Sequence, residues 1–199
     1  MTVRRTIRTC LKHAAEVHLE VSRTQQARIA EAARLMSEAI RRGRKLIWFG
    51  NGGSATQSQH MAAELVGRFG RDRRSLPSIS LTENMASVTA IGNDYDYESI
   101  FARQMEGLGQ RGDVAIGLST SGRSRNVLAG LRKARERGLR TVGLTGASGD
   151  AMQPLCDVCI LVPSQETARI QEAHLTIGHI FCTLIEDALI WHRPSASTR

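Results

Sequence analysis

His60 and Glu64 stand four residues apart in the segment KLIWFGNGGSATQSQHMAAEL, residues 45–65. Residues at this spacing lie on one face of a helix, so an imidazole and a carboxylate would point in the same direction. Such a pair can bind a metal ion or exchange protons with a substrate. It is also common as a plain surface pair, and the spacing alone leaves both interpretations open.

A second set of candidates lies near the end of the chain, in ARIQEAHLTIGHIFCTLIEDAL. Gln171 and His179 are eight residues apart, which places them within about 80° of each other around a helix and about 12 Å apart along it. Apolar neighbours indicate that His179 lies near the core, where a polar group needs a partner. Together with His60 and Glu64 it makes a plausible metal-binding set with an open position. His174 points about 140° away from His179 and is left out of this set.

Two hydroxyl-rich turns are candidates for phosphate binding. Residues 50–54 read GNGGS and residues 119–124 read STSGRS, and each follows an apolar run and precedes a helical segment. Glycine allows the backbone to approach an anion closely, and a helix N-terminus adds free N–H groups and a positive dipole. The alternative is that the serines and threonines only cap the next helix. Two such turns at one sheet edge favour phosphate binding.

A dinucleotide-binding site is not expected. Gly50, Gly52 and Ala55 fit the G-x-G-x-x-G/A pattern, but no acidic residue follows about 20 positions later. Glu83 is the nearest candidate and lies 31 residues beyond Gly52. A nicotinamide or flavin enzyme is therefore disfavoured.

The elements that must position these residues are predicted from hydrophobic patterning. Five short apolar runs predict strands at 46–49, 78–81, 114–118, 141–144 and 158–162. Helical spacing predicts helices at about 55–68, 84–91, 97–107, 124–137 and 166–191. This alternation predicts an α/β three-layer sandwich, with a five-stranded parallel sheet covered by helices on both faces. Ligands of such sheets bind at the carboxyl ends of the strands, where both turns lie.

The remaining sequence predicts the domain organisation. Residues 1–43 form an N-terminal helical segment, broken between Ser22 and Gln25, that belongs to the same domain. The main domain spans 44–192, and 193–199 form a frayed tail. The two N-terminal helices are expected to pack between subunits, because their apolar stripes need a partner.

Composition narrows the function classes. The chain has 199 residues, a formal charge of +8, 41% hydrophobic and 23% charged residues, as in an ordinary globular protein. No run is long enough for a membrane span and no signal peptide is visible, so we expect a cytoplasmic protein. The basic residues are dispersed and only 4% are aromatic, so an anionic small ligand is favoured over nucleic acid. Cys156 and Cys159 form a C-x-x-C pair, which we interpret as two buried structural thiols on opposite faces of a strand.

Several motifs together resemble the phosphoheptose isomerases, members of the sugar isomerase (SIS) domain superfamily. They are FGNGGSA with HMAAEL, AIGNDYDYESIF, GDVAIGLSTSGRSRNV, TVGLTG, and ARIQEAH with GHIFCTLIE. They occur in order from about residue 40 to 190. The resemblance implies the SIS fold and conversion of sedoheptulose 7-phosphate to D-glycero-D-manno-heptose 7-phosphate, toward ADP- or GDP-activated heptoses for surface lipopolysaccharide. It also implies a homotetramer with sites at subunit interfaces and one zinc ion per subunit.

The resemblance also implies roles for individual residues. Glu64 and His179 match the catalytic acid–base pair. The metal positions are His60, Glu64, Gln171 and His179. The substrate positions are Asn51, Gly52, Gly53, Glu64, Asn93, Asp94, Ser119, Thr120, Ser121, Ser124 and Gln171.

One departure from the family pattern supports an alternative function. Many members have an acidic residue before the Arg-Ile-Gln triplet, where this chain has Ala168. A similar paralogue that associates with the bacterial replication initiator also has alanine there, but it lacks the glutamate and the final histidine. The alternative is thus a non-enzymatic SIS protein that senses a sugar phosphate or binds a partner protein. Because Glu64 and His179 are present, the sequence favours the enzyme.

Overall fold

Seven helices and five strands, in the order expected for an α/β protein, make up the computed structural model, which describes residues 2–190. The helices are α1 (Val3–Thr24), α2 (Gln26–Arg41), α3 (Gly53–Val66), α4 (Met85–Asp94), α5 (Ser99–Leu108), α6 (Arg125–Glu136) and α7 (Thr167–Ile190). The strands are β1 (Leu46–Gly50), β2 (Ser78–Ser80), β3 (Val114–Ser119), β4 (Arg140–Thr145) and β5 (Val158–Leu161). Two short 3-10 turns, Gly149–Ala151 and Gln153–Leu155, join β4 to β5. The predicted tail 193–199 lies outside the described residues.

The five strands form one parallel sheet in the order β2-β1-β3-β4-β5. The chain moves outward in one direction from β1 to β2 and in the other from β3 to β5. The strand order therefore reverses between β1 and β3, where open α/β sheets form a crevice for ligands. Gly50 at the end of β1 pairs with Leu118 of β3, so the turns after these strands are neighbours.

Both faces of the sheet are buried, which explains why the strands read as continuous apolar runs. Trp48 and Ile116 face a core formed with α2, α3 and α7. Phe49 and Ala115 face a second core formed with α5 and α6. This confirms the predicted three-layer architecture, and each predicted strand and helix is present with its ends shifted by a few residues.

The N-terminal helices extend along α7. A break at Gln25 separates α1 from α2, within the predicted interval. The His18 imidazole Nε2 lies 2.9 Å from Thr176 Oγ1, and Arg169 donates to the Cys10 carbonyl oxygen at 2.6 Å. The side chains of Val3, Ile7, Leu11 and Leu19 on α1 remain exposed. Packing of these helices between subunits stays a prediction, as does the division of the chain at residue 43.

The C-x-x-C pair differs from the sequence expectation. Cys156 precedes β5 instead of lying on it, and it is half-buried, whereas Cys159 is buried within the strand. Both thiols lie over Gly143, since a Cβ at Gly143 would meet Cys156 Sγ at 2.7 Å and Cys159 Sγ at 3.2 Å. The two thiols therefore share one face of the sheet. A hydrogen bond with Cys159, reinforced by burial, raises the pKa of the Cys156 thiol.

Within residues 2–190, no helix combines the length and the apolar character that crossing a membrane requires.

Candidate active site

Two helices meet side by side to form the candidate site. Helix α3 begins directly after β1, where Gly52 adopts φ +55°, and it packs against α7. The two helices are in close contact at Gly178, where a Cβ would lie 3.1 Å from Met61 Cγ and still closer to its Sδ. A larger residue at position 178 would require Met61 or the helices to shift. Gly178 precedes His179 and Met61 follows His60, so the close approach brings the two histidines together.

His60, Glu64 and His179 form a cluster at this crossing. His60 Nε2 lies 3.1 Å from His179 Nε2 and 3.2 Å from Glu64 Oε1. The three candidate ligand atoms all lie within 4.8 Å of one another. Glu64 and His179 are half-buried and His60 is more exposed, so the cluster opens toward solvent. The pair His60–Glu64 is thus joined by a histidine from a helix more than a hundred residues later.

The spacing of this cluster suits a zinc ion. With ligand bonds of about 2.0–2.1 Å, neighbouring ligands of a tetrahedral zinc are about 3.3 Å apart. The two measured separations, 3.1 and 3.2 Å, agree with that value. Imidazole nitrogens and a carboxylate oxygen are also ligands that zinc prefers. The residues present therefore fit the predicted metal.

Gln171 lies away from the cluster. A Cβ at Gly53 would meet Gln171 Nε2 at 2.5 Å, so this side chain rests against the start of α3. Gly53 precedes His60 by seven residues, about 10 Å along the helix axis. The amide is therefore beside the glycine-rich turn, and its role as a metal ligand stays a prediction.

An aromatic ring covers the other side of His179. The Phe69 ring stacks on the imidazole, with centroids 5.4 Å apart. Phe69 belongs to the loop 67–74, and buried Glu186 holds this loop by accepting hydrogen bonds from the backbone N–H of Phe69, Gly70 and Arg71 at 3.1–3.2 Å. Arg73 Nε donates to the same carboxylate at 2.8 Å. Glu186 therefore fixes the loop that positions Phe69 over the cluster.

The environment of Glu186 keeps its carboxylate ionised. Burial alone would raise its pKa, but the N–H donors of Gly70 and Phe69 and the guanidinium of Arg73 together lower the pKa below its ordinary value. Arg73 also donates to the carbonyl oxygens of Glu64 and Leu65 at the end of α3. The same ion pair thus joins the loop to both helices of the site.

The STSGRS turn folds over the N-terminus of α6. Gly122 adopts φ +64° and donates its N–H to the Ser119 carbonyl. Ser124 occupies the N-cap position without a capping hydrogen bond from its side chain, and its hydroxyl lies 2.9 Å from that of Ser119. Ser121 Oγ accepts the N–H of Arg123, and the Thr120 carbonyl accepts that of Gly146. Because Ser124 does not cap the helix with its side chain, capping alone does not account for this turn.

Asn126 joins the two turns, and the sequence analysis did not single it out. Asn51 and Asn126 exchange two side-chain hydrogen bonds of 2.8 Å, and Tyr97 donates its hydroxyl to Asn51 Oδ1 at 3.0 Å. Asn126 is buried at the start of α6. Its position directly after STSGRSR could have identified Asn126 as a site residue from the sequence. No local sequence pattern identifies Tyr97 or Phe69 in this way.

Asn93 and Asp94 lie apart from these contacts. Both are exposed at the end of α4, and among residues 2–190 the hydrogen bond recorded for their side chains joins them to each other, at 2.9 Å. Ala168 is exposed in the first turn of α7. The substrate-binding role of Asn93 and Asp94 stays a prediction.

His174 is a buried base on the inner face of α7. It is 2% exposed, and neither ring nitrogen has a hydrogen-bond partner in the described part of the chain. Burial lowers its pKa to about 4, against a weaker opposing effect of the Thr145 backbone. An unfolded histidine takes up a proton below about pH 6.5. Folding therefore becomes less favourable as the pH falls from there toward 4, and is unaffected by His174 above it.

The fold and this site agree with a known class of domain. A family model described as SIS domain matches residues 11–146, more than half of the chain. Two solved structures superimpose closely. They are a phosphoheptose isomerase from Francisella tularensis (TM-score 0.91, 34% identity, 94% of this chain and 100% of that chain) and one from Neisseria gonorrhoeae (TM-score 0.89, 34% identity, the same coverage).

Sequence relatives narrow the class further. A phosphoheptose isomerase from Nitratiruptor is 53% identical over 160 residues, covering 80% of this chain and 86% of that protein. One from Pelobacter propionicus is 49% identical over 183 residues, covering 92% and 97%. The chain belongs to the phosphoheptose isomerase family of SIS-domain proteins, and it is an isomerase.

Proposed function

We propose that the chain converts sedoheptulose 7-phosphate to D-glycero-D-manno-heptose 7-phosphate, with Glu64 and His179 as its acid–base pair. The observation that supports this most directly is the His60–Glu64–His179 cluster, which includes two residues of the helix that begins at the glycine-rich turn. Relatives with this family's name at about half identity support the sugar-phosphate substrate class.

The reaction needs two proton transfers at carbon and two at oxygen, which Glu64 and His179 respectively can perform. Glu64 removes the proton from C1 of the ketose while His179 protonates the carbonyl oxygen at C2, which gives a cis-enediol. Glu64 then delivers its proton to C2, and His179 takes the proton from the C1 oxygen as the aldehyde forms. His179 Nε2 and Glu64 Oε1 lie 3.1 and 3.2 Å from His60 Nε2, in a cluster that opens toward solvent.

We also propose one zinc ion per subunit, held by the Nε2 atoms of His60 and His179 and the carboxylate of Glu64. When bound, zinc polarises the carbonyl and offsets the negative charge of the enediolate. A carboxylate that binds a cation is a weaker base, and an imidazole nitrogen that binds one carries no proton, so Glu64 and His179 are each expected to alternate between the two tasks. Gln171, although predicted as a ligand, is better placed to bind the substrate beside Gly53.

The phosphate is proposed to bind in the STSGRS turn. The hydroxyls of Ser119, Thr120, Ser121 and Ser124, with the N-terminus of α6, are the donors that a phosphate requires. Residues 51–53 then hold the sugar, and the link from Asn51 to Asn126 sets the spacing between both ends of the substrate. Anchoring the phosphate orients C1 and C2 toward Glu64.

The assembly and location follow from the same proposal. We propose a homotetramer in the cytoplasm that supplies heptose for surface lipopolysaccharide. Exposed apolar side chains on α1 and α7, among them Leu11 and Ile180, support further packing between subunits. Light scattering after size-exclusion chromatography should give four times the 21.8 kDa chain mass. A monomer at assay concentration would contradict the tetramer.

The activity is tested by measuring heptose 7-phosphate formation by the parent protein and by the variant Glu64→Gln. Glu31→Gln, at an exposed position of α2, is the matched control. Loss of the base should lower kcat by about 10²–10⁴-fold, and the control should not change it. No turnover by the parent protein, with or without zinc, would refute the proposed reaction. Full activity of Glu64→Gln would refute the role of the carboxylate.

Zinc binding is measured separately by metal analysis of purified protein. His60→Ala should lose most of its zinc, because one of three close ligands is removed. Unchanged zinc content would exclude His60 as a ligand without affecting the assignment of the reaction.

A further inference from the structure

A basic cleft lies at the amino ends of the strands, opposite the ends that carry the GNGGS and STSGRS turns. Its volume is about 580 Å³, within the range of small-molecule sites. Five arginines line it: Arg34, Arg42, Arg44, Arg111 and Arg140. They come from α2, from the segments that precede β1 and β3, and from the start of β4. Residues far apart in sequence thus converge on one concave surface.

The charges of the cleft are not balanced by the protein. Glu38 is the one acidic residue recorded in the lining, and Arg34 Nη1 already binds it at 2.6 Å. Arg140 pairs with Asp157 at 3.0 Å. Between residues 2 and 190, no ion pair or side-chain hydrogen bond is found for Arg42, Arg44 or Arg111. Among the described residues, the guanidinium groups of Arg42, Arg44 and Arg111 therefore have no carboxylate partner in the cleft.

Two of these arginines pass close to glycines at the wall of the cleft. Arg44 lies across Gly112, where an added Cβ would be 3.4 Å from its Nε. Arg111 lies across Gly138, where an added Cβ would be 3.2 Å from its Cγ. Both glycines have positive φ, +91° and +77°, so other side chains are disfavoured there. The backbone thus leaves room for both arginine stems at the wall of the cleft.

The strand ends beneath these arginines are rigid. Asp113 is 1% exposed and accepts hydrogen bonds from the Lys45 backbone at 3.0 Å, the Lys45 ammonium at 2.6 Å and the Gln110 backbone at 2.9 Å. This buried ion pair joins the start of β1 to the start of β3. Arg44 and Arg111 flank that junction, so their backbone positions beside the cleft are fixed.

Helix capping explains only part of the cluster. Arg42 follows the last residue of α2, where a cation is favoured by the helix dipole and the free carbonyl groups. Arg44 donates its backbone N–H to the Ala39 carbonyl near the end of α2, and the Arg111 side chain lies across Gly138, just beyond α6. Helix C-termini therefore favour cations at these positions too, but helix capping does not require three guanidinium groups to converge on one cleft.

We propose that this cleft binds a small oligophosphate, a linear anion of two or three phosphate groups. Each guanidinium group can form two parallel hydrogen bonds to one phosphate, so three arginines without carboxylate partners offer enough donors for more than one phosphate group. The recorded lining contains no aromatic side chain on which a base could stack, which argues against single-stranded nucleic acid. The site is distinct from the STSGRS turn and does not depend on the proposed function.

Calorimetry with inorganic triphosphate at 150 mM salt tests the proposal in the full-length protein. The double variant Arg44→Gln/Arg111→Gln should bind at least about tenfold more weakly than the parent, since two charge-assisted contacts are lost. Arg5→Gln/Arg132→Gln removes the same charge from exposed positions outside the cleft and should bind like the parent. Equal weakening in both doubles would show general basicity only and would overturn the site.

Two further comparisons keep the result specific. Ser121→Ala/Ser124→Ala alters the other anion-binding candidate and should leave triphosphate binding intact, whereas loss of binding there would place the ligand at the STSGRS turn. Single-stranded RNAs of increasing length are tested as competitors of triphosphate. If each added nucleotide makes the RNA a tighter competitor, the ligand of the cleft is nucleic acid and not a small oligophosphate. If Arg44→Gln/Arg111→Gln has a lower melting temperature than the parent, the single variant Arg42→Gln at the rim provides the same test. It should bind triphosphate severalfold more weakly than the parent.

Discussion

The substitution Gly178→Ala tests whether the crossing of α3 and α7 creates the His60–Glu64–His179 cluster. A Cβ at residue 178 would lie 3.1 Å from Met61 Cγ and closer to Sδ, whereas ordinary carbon contacts are about 3.5–4.0 Å. Met61 is 2% exposed and has little room to turn away. We therefore expect the helices to separate by roughly 0.5–1 Å at this point.

The consequences of that displacement can be estimated. Overpacking a filled core costs about 1–3 kcal/mol, which for a domain of this size lowers the melting temperature by roughly 3–9 °C. The His60–His179 separation, now 3.1 Å, would grow by more than the roughly 0.2 Å that a metal site tolerates. Zinc affinity should then fall at least about tenfold.

The assay combines thermal unfolding with a competitive zinc titration. Met61→Ala in the Gly178→Ala background should recover most of the zinc affinity, because the atoms that the new Cβ meets are gone. Gly107→Ala is the matched control, since its Cβ would have no neighbour within 4 Å. If Gly178→Ala melts and binds zinc like the parent, or if the double variant recovers nothing, the helix contact does not set the ligand spacing.

Three further predictions concern stability and binding. His174→Leu should remove roughly 2–3 kcal/mol of the decrease in unfolding free energy between pH 7 and 4.5, measured by urea titration at each pH; an unchanged pH dependence would refute the lowered pKa. Glu186→Gln should cost about 2–4 kcal/mol and speed tryptic cleavage within loop 67–74, and an equally protected loop would contradict its anchoring role. Asn126→Ala should lower kcat/KM roughly five- to hundredfold through Asn51, with the fold intact by circular dichroism.

The sheet and its helices could be predicted from the sequence because burial leaves a periodic record. A strand covered on both faces is apolar throughout, and a helix covered on one side repeats its apolar residues every three or four positions. These patterns identified all five strands and the helices between them. They also placed both hydroxyl-rich turns at one sheet edge, since parallel strands end at the same side.

Local geometry predicts only part of the candidate site, and His179 was assigned to it from its apolar surroundings and from the family resemblance. The spacing of His60 and Glu64 already places them on one helix face, and this needs no tertiary information. Gln171 shows the limit of local geometry. The spacing of eight residues fixes the distance between Gln171 and His179 along α7, but it does not determine which end of α3 each side chain contacts.

What the sequence by itself determined is the class of fold, the order of its elements and the residue types available for chemistry. Only the tertiary structure decided which of them meet. His179 joins His60 because Gly178 lets α7 approach Met61, Phe69 covers the imidazole because Glu186 holds its loop, and the basic cleft forms because parallel strands start at one edge. The physical reason is that such contacts depend on helix separation and loop anchoring, which packing of distant residues sets and no local pattern records.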